Sequence, residues 1–304
     1  MSYLQEFLNL IVVTILNVTG FNLIIIITGL QRRFRHHVPY QLYLNCRNHK
    51  LALCVKHLML SFPVLQDVDS LLLSVWKLFH YSPQKYVIFM DVQKAYGLKN
   101  LKMIRAAATR WLSHGRACRR LIERYVQVLD ALDEMIDRKH DPEIDGLRNM
   151  LCSKGTLAGI LILCDLLEPV IVFSDYLQGA SIDFSHVNKK AKDLTDALHT
   201  LTERFHDSIQ TPDADLYFSK MPALFMEIDE RTILMRRLHR KKGNDGVYDP
   251  EHLVNEVAVP ITHHLIQEIE DAFRCSPVLC AFNAFRLESD PDDIQELKDY
   301  KKVY

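Results

Sequence analysis

The apolar positions of the chain change their spacing near residue 31. Beyond that point they recur every three or four residues, which is the spacing of an amphipathic helix. This spacing predicts helical structure over 48–82, with a break at Pro63, because proline cannot donate the backbone hydrogen bond that a helix interior requires. A further helix is predicted at 84–95, ending near Gly97.

The same spacing continues toward the carboxyl end of the chain. It predicts helices at 113–133 with Ser113 as the N-cap, at 155–178 with an interruption at Pro169, and at 186–209, 216–240 and 251–274. Two short stretches depart from it, QLYLNC at 41–46 as a strand and MIRAAAT at 103–109 as strand or extended chain. The pattern therefore predicts a predominantly α chain with a few strands.

Residues 7–31 carry no charge and are open to two interpretations. The stretch is long enough to span a bilayer at about 7–30, because roughly 20 apolar residues suffice, and a cluster of arginines follows it. Its two β-branched runs, IVVTIL and LIIIITGL, are equally typical of two buried strands. A membrane-anchored protein is therefore an alternative to a nuclear one.

The formal net charge of −1 hides a strong asymmetry between the two halves of the chain. From Thr28 to Tyr125 there are 17 Lys and Arg residues against four acids, a balance of +13. From Val126 to Tyr304 there are 20 against 33, a balance of −13. A basic half of this kind favours contact with a polyanion such as nucleic acid, although a solvated basic face has the same composition.

Two C-x-x-H pairs lie within the stretch NCRNHKLALCVKH, and they raise the question of a zinc site. On a helix, His49 and Cys54 would point about 140° apart, so the two pairs do not close one tetrahedron. We predict that Cys46 and His49 are structural and fix a strand-to-helix junction, that Cys54 packs as a small apolar residue, and that no metal or other cofactor binds. The seven cysteines show no disulfide framework and indicate a reducing compartment.

Several motifs resemble the RNase H-like region of hAT-superfamily transposases, and in particular its domesticated, zinc-finger-associated remnants. They are CRNHKLALC, DVDSLLLSVWKLFHYS, AYGLK and TRWLSHGRACRRL. The resemblance implies a truncated RNase H-like α/β core followed by a mostly helical insertion, and a nuclear location. It divides the chain into an apolar segment 1–27 outside the match, a partial core 28–108, a helical insertion 109–285 and a charged tail 286–304.

The resemblance also implies a site of three carboxylates that binds divalent metals, and the sequence departs from it. No aspartate precedes Asp67, and the family's dimerisation segment, which carries the third carboxylate, is absent. Asp67 and Asp69 diverge by about 200° on a helix and are interpreted as a solvated or capping pair. We therefore expect no enzymatic activity; an active DDE-type transposase or nuclease remains the alternative.

One motif of the family concerns DNA binding. Arg110 and Trp111 match its Arg-Trp pair, and the resemblance implies that this tryptophan stacks on an extruded base; the alternative is a tryptophan packed in the fold. Arginines recur behind it at helical spacing and could track a phosphate backbone or form an ordinary exposed stripe: Arg116, Arg119, Arg120 and Arg124. The predicted partner is DNA, bound weakly and without sequence preference; a protein partner is unknown.

Overall fold

The structure is a computed structural model that describes residues 46–107, 113–179, 186–239 and 249–274. The chain divides into two compact units, residues 1–51 and 52–304. Almost all of the described residues belong to the second unit, which is a helical bundle.

Eleven α-helices are found in the described residues. In chain order they are α1 (Arg47–Ser61), α2 (Pro63–Tyr81), α3 (Pro83–Ala95), α4 (Ser113–Glu123), α5 (Tyr125–Arg138), α6 (Pro142–Leu151), α7 (Lys154–Leu177), α8 (Val187–Gln210), α9 (Met221–His239), α10 (Pro250–Leu253) and α11 (Val259–Ala272). A short 3-10 helix, Phe218–Lys220, precedes α9, and a π-helical turn, Val254–Ala258, joins α10 to α11.

Local sequence explains where many of these helices begin. Prolines occupy the first helical position of α2, α3 and α6, where the missing N–H costs nothing. Side-chain oxygens cap four helices: Ser82 accepts from the N–H of Lys85, Asp141 from that of Glu143, Ser153 from that of Thr156, and Asp249 from that of Glu251. The predicted break at Pro63 is confirmed, whereas the predicted helix 113–133 is divided at Arg124 into α4 and α5.

The 24-residue helix α7 is the centre of the bundle and is apolar on nearly every side. Helices α2, α4, α8 and α9 pack around it, and residues 156–167 are all buried, whereas Glu168, Val172 and Asp175 in its second half are exposed. Two glycines permit close approach. A Cβ on Gly159 would lie 3.1 Å from Val64 and Val68 of α2, and one on Gly115 of α4 would lie 3.1 Å from Leu167 and Ile171 of α7.

The interruption predicted at Pro169 is wrong. Helix α7 continues from Lys154 to Leu177 with Pro169 inside it. A proline in a helix interior costs about 3 kcal/mol, and the burial of α7 before the proline, together with that of Val170 and Phe173 after it, offsets that cost.

Helix α7 is also long and apolar enough to cross a bilayer, and the bent pair α1 and α2 would pass the same test if taken together. Most of α7 is buried inside the bundle, as is usual for a core helix. The membrane helix predicted at about 7–30 lies outside the described residues.

The predicted RNase H-like α/β core is not found. The described part of the chain is 84% helical and contains no strand. Of the two predicted strands, 41–46 lies outside the described residues except for Cys46. Over 98–107 the backbone is non-helical and shows a single β-bridge, at Ala107; within the described residues, the side chains of Gln93 and Arg124 bond to its backbone.

Candidate nucleic-acid interface

The carboxyl end of α2 presents two pairs of side chains four residues apart. Trp76 and His80 stack with their ring centroids 4.3 Å apart and their planes inclined by 19°. Lys77 and Tyr81 have the same spacing and are therefore neighbours on the helix surface. Residues 70–81 include no acid, so no carboxylate from this stretch neutralises Lys77.

Tyr81 is the most exposed of these aromatic side chains. It ends α2, and the corner formed with Ser82 and the next helix leaves 70% of its surface open to solvent. Its ring meets those of Trp76 and His80 nearly at right angles, with centroids 5.6 and 4.9 Å away. These contacts hold the base of the ring while most of it projects outward.

An extended segment, residues 98–107, lies beside α3. It begins after Gly97, whose φ of 67° is the left-handed conformation that glycine adopts readily. The side chain of the fully buried Gln93 forms hydrogen bonds with the backbone of this segment, as a neighbouring strand would. Its Oε1 accepts from the N–H of Leu101 at 3.0 Å, and its Nε2 donates to the carbonyl of Leu101 at 3.2 Å.

Two arginines of α4 and its carboxyl end hold the same segment. Arg124 is buried; it donates from Nε to Oε1 of Gln93 at 3.0 Å and from Nη2 to the carbonyl of Lys99 at 3.1 Å. Arg120 donates from Nη1 to the carbonyl of Lys102 at 2.7 Å. Since an extended chain without a strand partner has unpaired carbonyls, these bonds fix its course over the helices.

The fixed segment places cations next to the aromatic cluster. The guanidinium of Arg105 lies 5.0 Å from the centroid of the Trp76 ring, and Nζ of Lys102 lies 5.7 Å from that of Tyr86. Both are cation–π distances. The side chains of Lys99, Lys102 and Arg105 are exposed, and residues 92–107 include no acid.

We name the following side chains of the end of α2 and of the segment 98–107 the aromatic–basic surface, in which the contact of Arg105 with Trp76 joins the two parts: Trp76, Lys77, His80, Tyr81, Lys99, Lys102 and Arg105. Sequence reasoning missed it. Two signals were present, an aromatic cluster at i, i+4 and i+5 just before a Ser-Pro corner, and cations three residues apart in a stretch without acids.

The predicted arginines take different positions. Arg110 and Trp111 lie outside the described residues. Of the four arginines at helical spacing, Arg116 is exposed, whereas Arg119 pairs with Glu168 of α7 and Arg120 and Arg124 bond to the extended segment. Most of the stripe therefore makes contacts within the chain.

The residues SHG of the motif TRWLSHGRA also make contacts within the chain. Ser113 is not an N-cap, because it is the first residue of α4 and its Oγ accepts from the N–H of Ala107 at 2.9 Å. His114 is fully buried, with Nε2 2.8 Å from a carboxylate oxygen of Asp69. Asp69, interpreted from sequence as solvated or capping, has a side chain that is 44% exposed and that also binds this buried histidine.

The C-x-x-H pairs separate in the structure. Cys46 and His49 are exposed at the start of α1. Cys54 is buried, as predicted, and its Sγ donates to the carbonyl of Glu268 at 3.3 Å; Nδ1 of His57 lies 2.9 Å from a carboxylate oxygen of the same residue. Within the described ranges, no group of three or more metal-ligating side chains converges.

One titratable group lies inside the bundle and away from this surface. Burial raises the pKa of Asp165 to about 6, and the backbone N–H groups of Tyr217 and Phe218 oppose the shift by donating to its two oxygens at 2.8 and 2.9 Å. The carboxylate thereby caps the 3-10 helix, so its role in this geometry is structural.

No protein family, curated protein or solved structure matches the chain.

Proposed function

We propose that this chain is a non-catalytic nucleic-acid-binding protein whose contact region is the aromatic–basic surface. The observation that carries the proposal is the position of Arg105 over Trp76, which joins an exposed aromatic cluster to a row of cations. Cations that follow a backbone, interleaved with aromatic rings, are the usual composition of a site for nucleic acid.

The charge of the surface supports this function. Four cations, Lys77, Lys99, Lys102 and Arg105, are exposed in two stretches that contribute no carboxylate. Some lysines elsewhere in the chain pair with acids, as Lys94 does with Asp91 and Lys190 with Asp193. A surface whose four cations have no ion pair among the described residues attracts a polyanion more strongly than a mixed surface does.

We further propose that the chain derives from a hAT transposase, on the strength of its motifs, and that it acts in the nucleus. The proposal of a non-catalytic role rests on the sequence, in which no aspartate precedes Asp67, and on Asp69, whose carboxylate binds the buried His114. Binding, rather than strand cleavage, is therefore the function we assign.

The test is fluorescence anisotropy of labelled oligonucleotides with the full chain over a salt series. If four phosphates are neutralised, log K should fall against log salt with a slope of roughly −2.8 for single strands and −3.6 for duplex. Reversing Lys99, Lys102 and Arg105 together to glutamate should remove measurable binding at low salt.

The matched control reverses three lysines of α8, Lys189, Lys190 and Lys192, which are also exposed. It changes the net charge by the same amount, so it should weaken binding far less if the contact is local. Equal losses from the two triple variants would show that only net charge matters, and the proposed surface would be rejected.

A further inference from the structure

We infer that the aromatic–basic surface selects single-stranded nucleic acid by stacking one base on the ring of Tyr81; the inference rests on the proposed function. With 70% of its surface exposed, this tyrosine has ring area to offer a base. Burial of so large an apolar ring by a partner is favourable, whereas its exposure to water is not.

Trp76 supports the ring of Tyr81 and is not itself the ring on which we expect the base to stack. Its ring already stacks on His80 and carries Arg105, and it is only partly exposed. Both Trp76 and His80 contact Tyr81 nearly at right angles. The tyrosine is therefore held in place before a ligand arrives, which reduces the conformational entropy lost on binding.

Stacking on an exposed side chain discriminates between single and double strands. Inside a duplex both faces of each base are covered by its neighbours, so a ring can reach one only if a step is unstacked at a cost of a few kcal/mol. A base in a single strand has a face available at lower cost. Every base has such a face, so the contact tolerates any sequence.

The cations beside the ring suit a strand whose base lies on Tyr81. Lys77 is one helical turn from Tyr81, and Arg105 lies against the neighbouring Trp76. They can meet phosphates on either side of the stacked nucleotide. Because the ring lies near the exposed cations Lys77 and Arg105, a polyanionic ligand is favoured over an apolar protein partner.

The experiment measures binding of the full chain to a labelled 20-nucleotide single strand of mixed sequence and to the corresponding duplex. Tyr81→Ala should weaken single-strand binding by about 5- to 150-fold, the loss expected for one stacked base, and duplex binding by less than about twofold. Tyr81→Phe should keep the wild-type affinity, because stacking requires the ring and not the hydroxyl. All salt slopes should stay unchanged, since no charge is removed.

Met226→Ala is the control for loss of an exposed apolar side chain, since Met226 is 64% exposed on α9. It should leave both affinities unchanged. Salt-sensitive binding of both oligonucleotides that is insensitive to Tyr81→Ala would overturn the inference while leaving the proposed function standing. Absence of salt-sensitive binding to either would overturn both, and would leave a protein partner as the occupant of the surface.

Discussion

Helix α4 and the aromatic–basic surface are both rich in basic residues, yet they use them in opposite ways. On α4 and at its carboxyl end, Arg119, Arg120 and Arg124 bond to groups of the same chain, and Arg116 alone of the four is exposed. On the surface, Lys99, Lys102 and Arg105 project outward from the segment that two of those arginines hold. Arg120 and Arg124 therefore position the exposed cations.

The contacts of Arg124 show what an arginine side chain can do inside the fold. A guanidinium has five N–H donors in a planar fork and can satisfy several carbonyls at once, as Arg124 does with Gln93 and Lys99. A lysine ammonium is a strongly hydrated point charge and is more stable in water. Basic residues in a sequence thus do not by themselves define a binding surface.

The largest expected effect comes from removing the buried member of this comparison. Arg124→Met should lower the free energy of unfolding by about 3 kcal/mol, because the carbonyl of Lys99 and the amide of Gln93 lose a buried donor. Urea unfolding gives the value, and amide hydrogen exchange should show faster exchange at Leu101. Arg116→Met, on the exposed position of the same stripe, should cost less than about 0.5 kcal/mol.

If Arg116→Met lowered the free energy of unfolding as much as Arg124→Met does, the exposed and the buried arginine would contribute equally to stability. The distinction between the two regions would then fail.

Asp165 extends the comparison to a buried carboxylate. Its pKa of about 6 in the folded chain lies above the ordinary value of 3.8, so between these values the folded state holds a proton that the unfolded state has released. The free energy of unfolding should therefore fall as pH rises from about 4 to 6, by roughly 2–3 kcal/mol in all. Asp165→Asn should not show this part of the pH dependence.

The measurement is urea unfolding of both proteins at pH 4.5, 6.0 and 7.5. As pH rises, the free energy of unfolding of the wild type should fall relative to that of Asp165→Asn. A difference independent of pH would show that the carboxylate is better solvated than its burial indicates.

The smallest expected effect on stability concerns alanine substitutions at two glycines that both lie within helices. A Cβ at Gly115 would lie 3.1 Å from Cβ of Leu167, close to the backbone of the central helix, whereas one at Gly146 of α6 would meet nothing within 4 Å. Gly115→Ala should lower stability by about 1 kcal/mol, since overpacking exceeds the gain in helix propensity. Gly146→Ala should raise it by a similar amount.

Thermal unfolding of the two variants gives both signs in one comparison. If both substitutions stabilise the chain, then α4 has room to move away from α7, and the close approach is not required.

The sequence was sufficient to predict helices whose boundaries are set locally. Pro63 and the Ser82–Pro83 corner act through their own backbone chemistry, so the divisions between α1, α2 and α3 could be foreseen. The predicted helices at 186–209 and 84–95 correspond closely to α8 and α3 for the same reason. Periodicity and caps are properties of neighbouring residues.

The parts that could not be foreseen depend on residues far apart in the sequence. Residues 103–107 were predicted as strand or extended, and the extended course of the residues just before them, 99–102, depends on bonds from Gln93, Arg120 and Arg124. The exposure of each arginine in the stripe likewise depends on which part of the chain packs against it. Spacing shows that arginines share a helix face, but it does not show what lies against that face.

Helix α7 has a consequence for the chain during its synthesis. The ribosome completes this apolar helix at Leu177, but α8, which covers one side of it, ends 33 residues later at Gln210. At 5–20 residues per second, that interval is about 2–7 s. For that time the nascent chain displays a helix apolar enough to be mistaken for a membrane span, so it should be a client of the chaperones that shield such segments until their partners emerge.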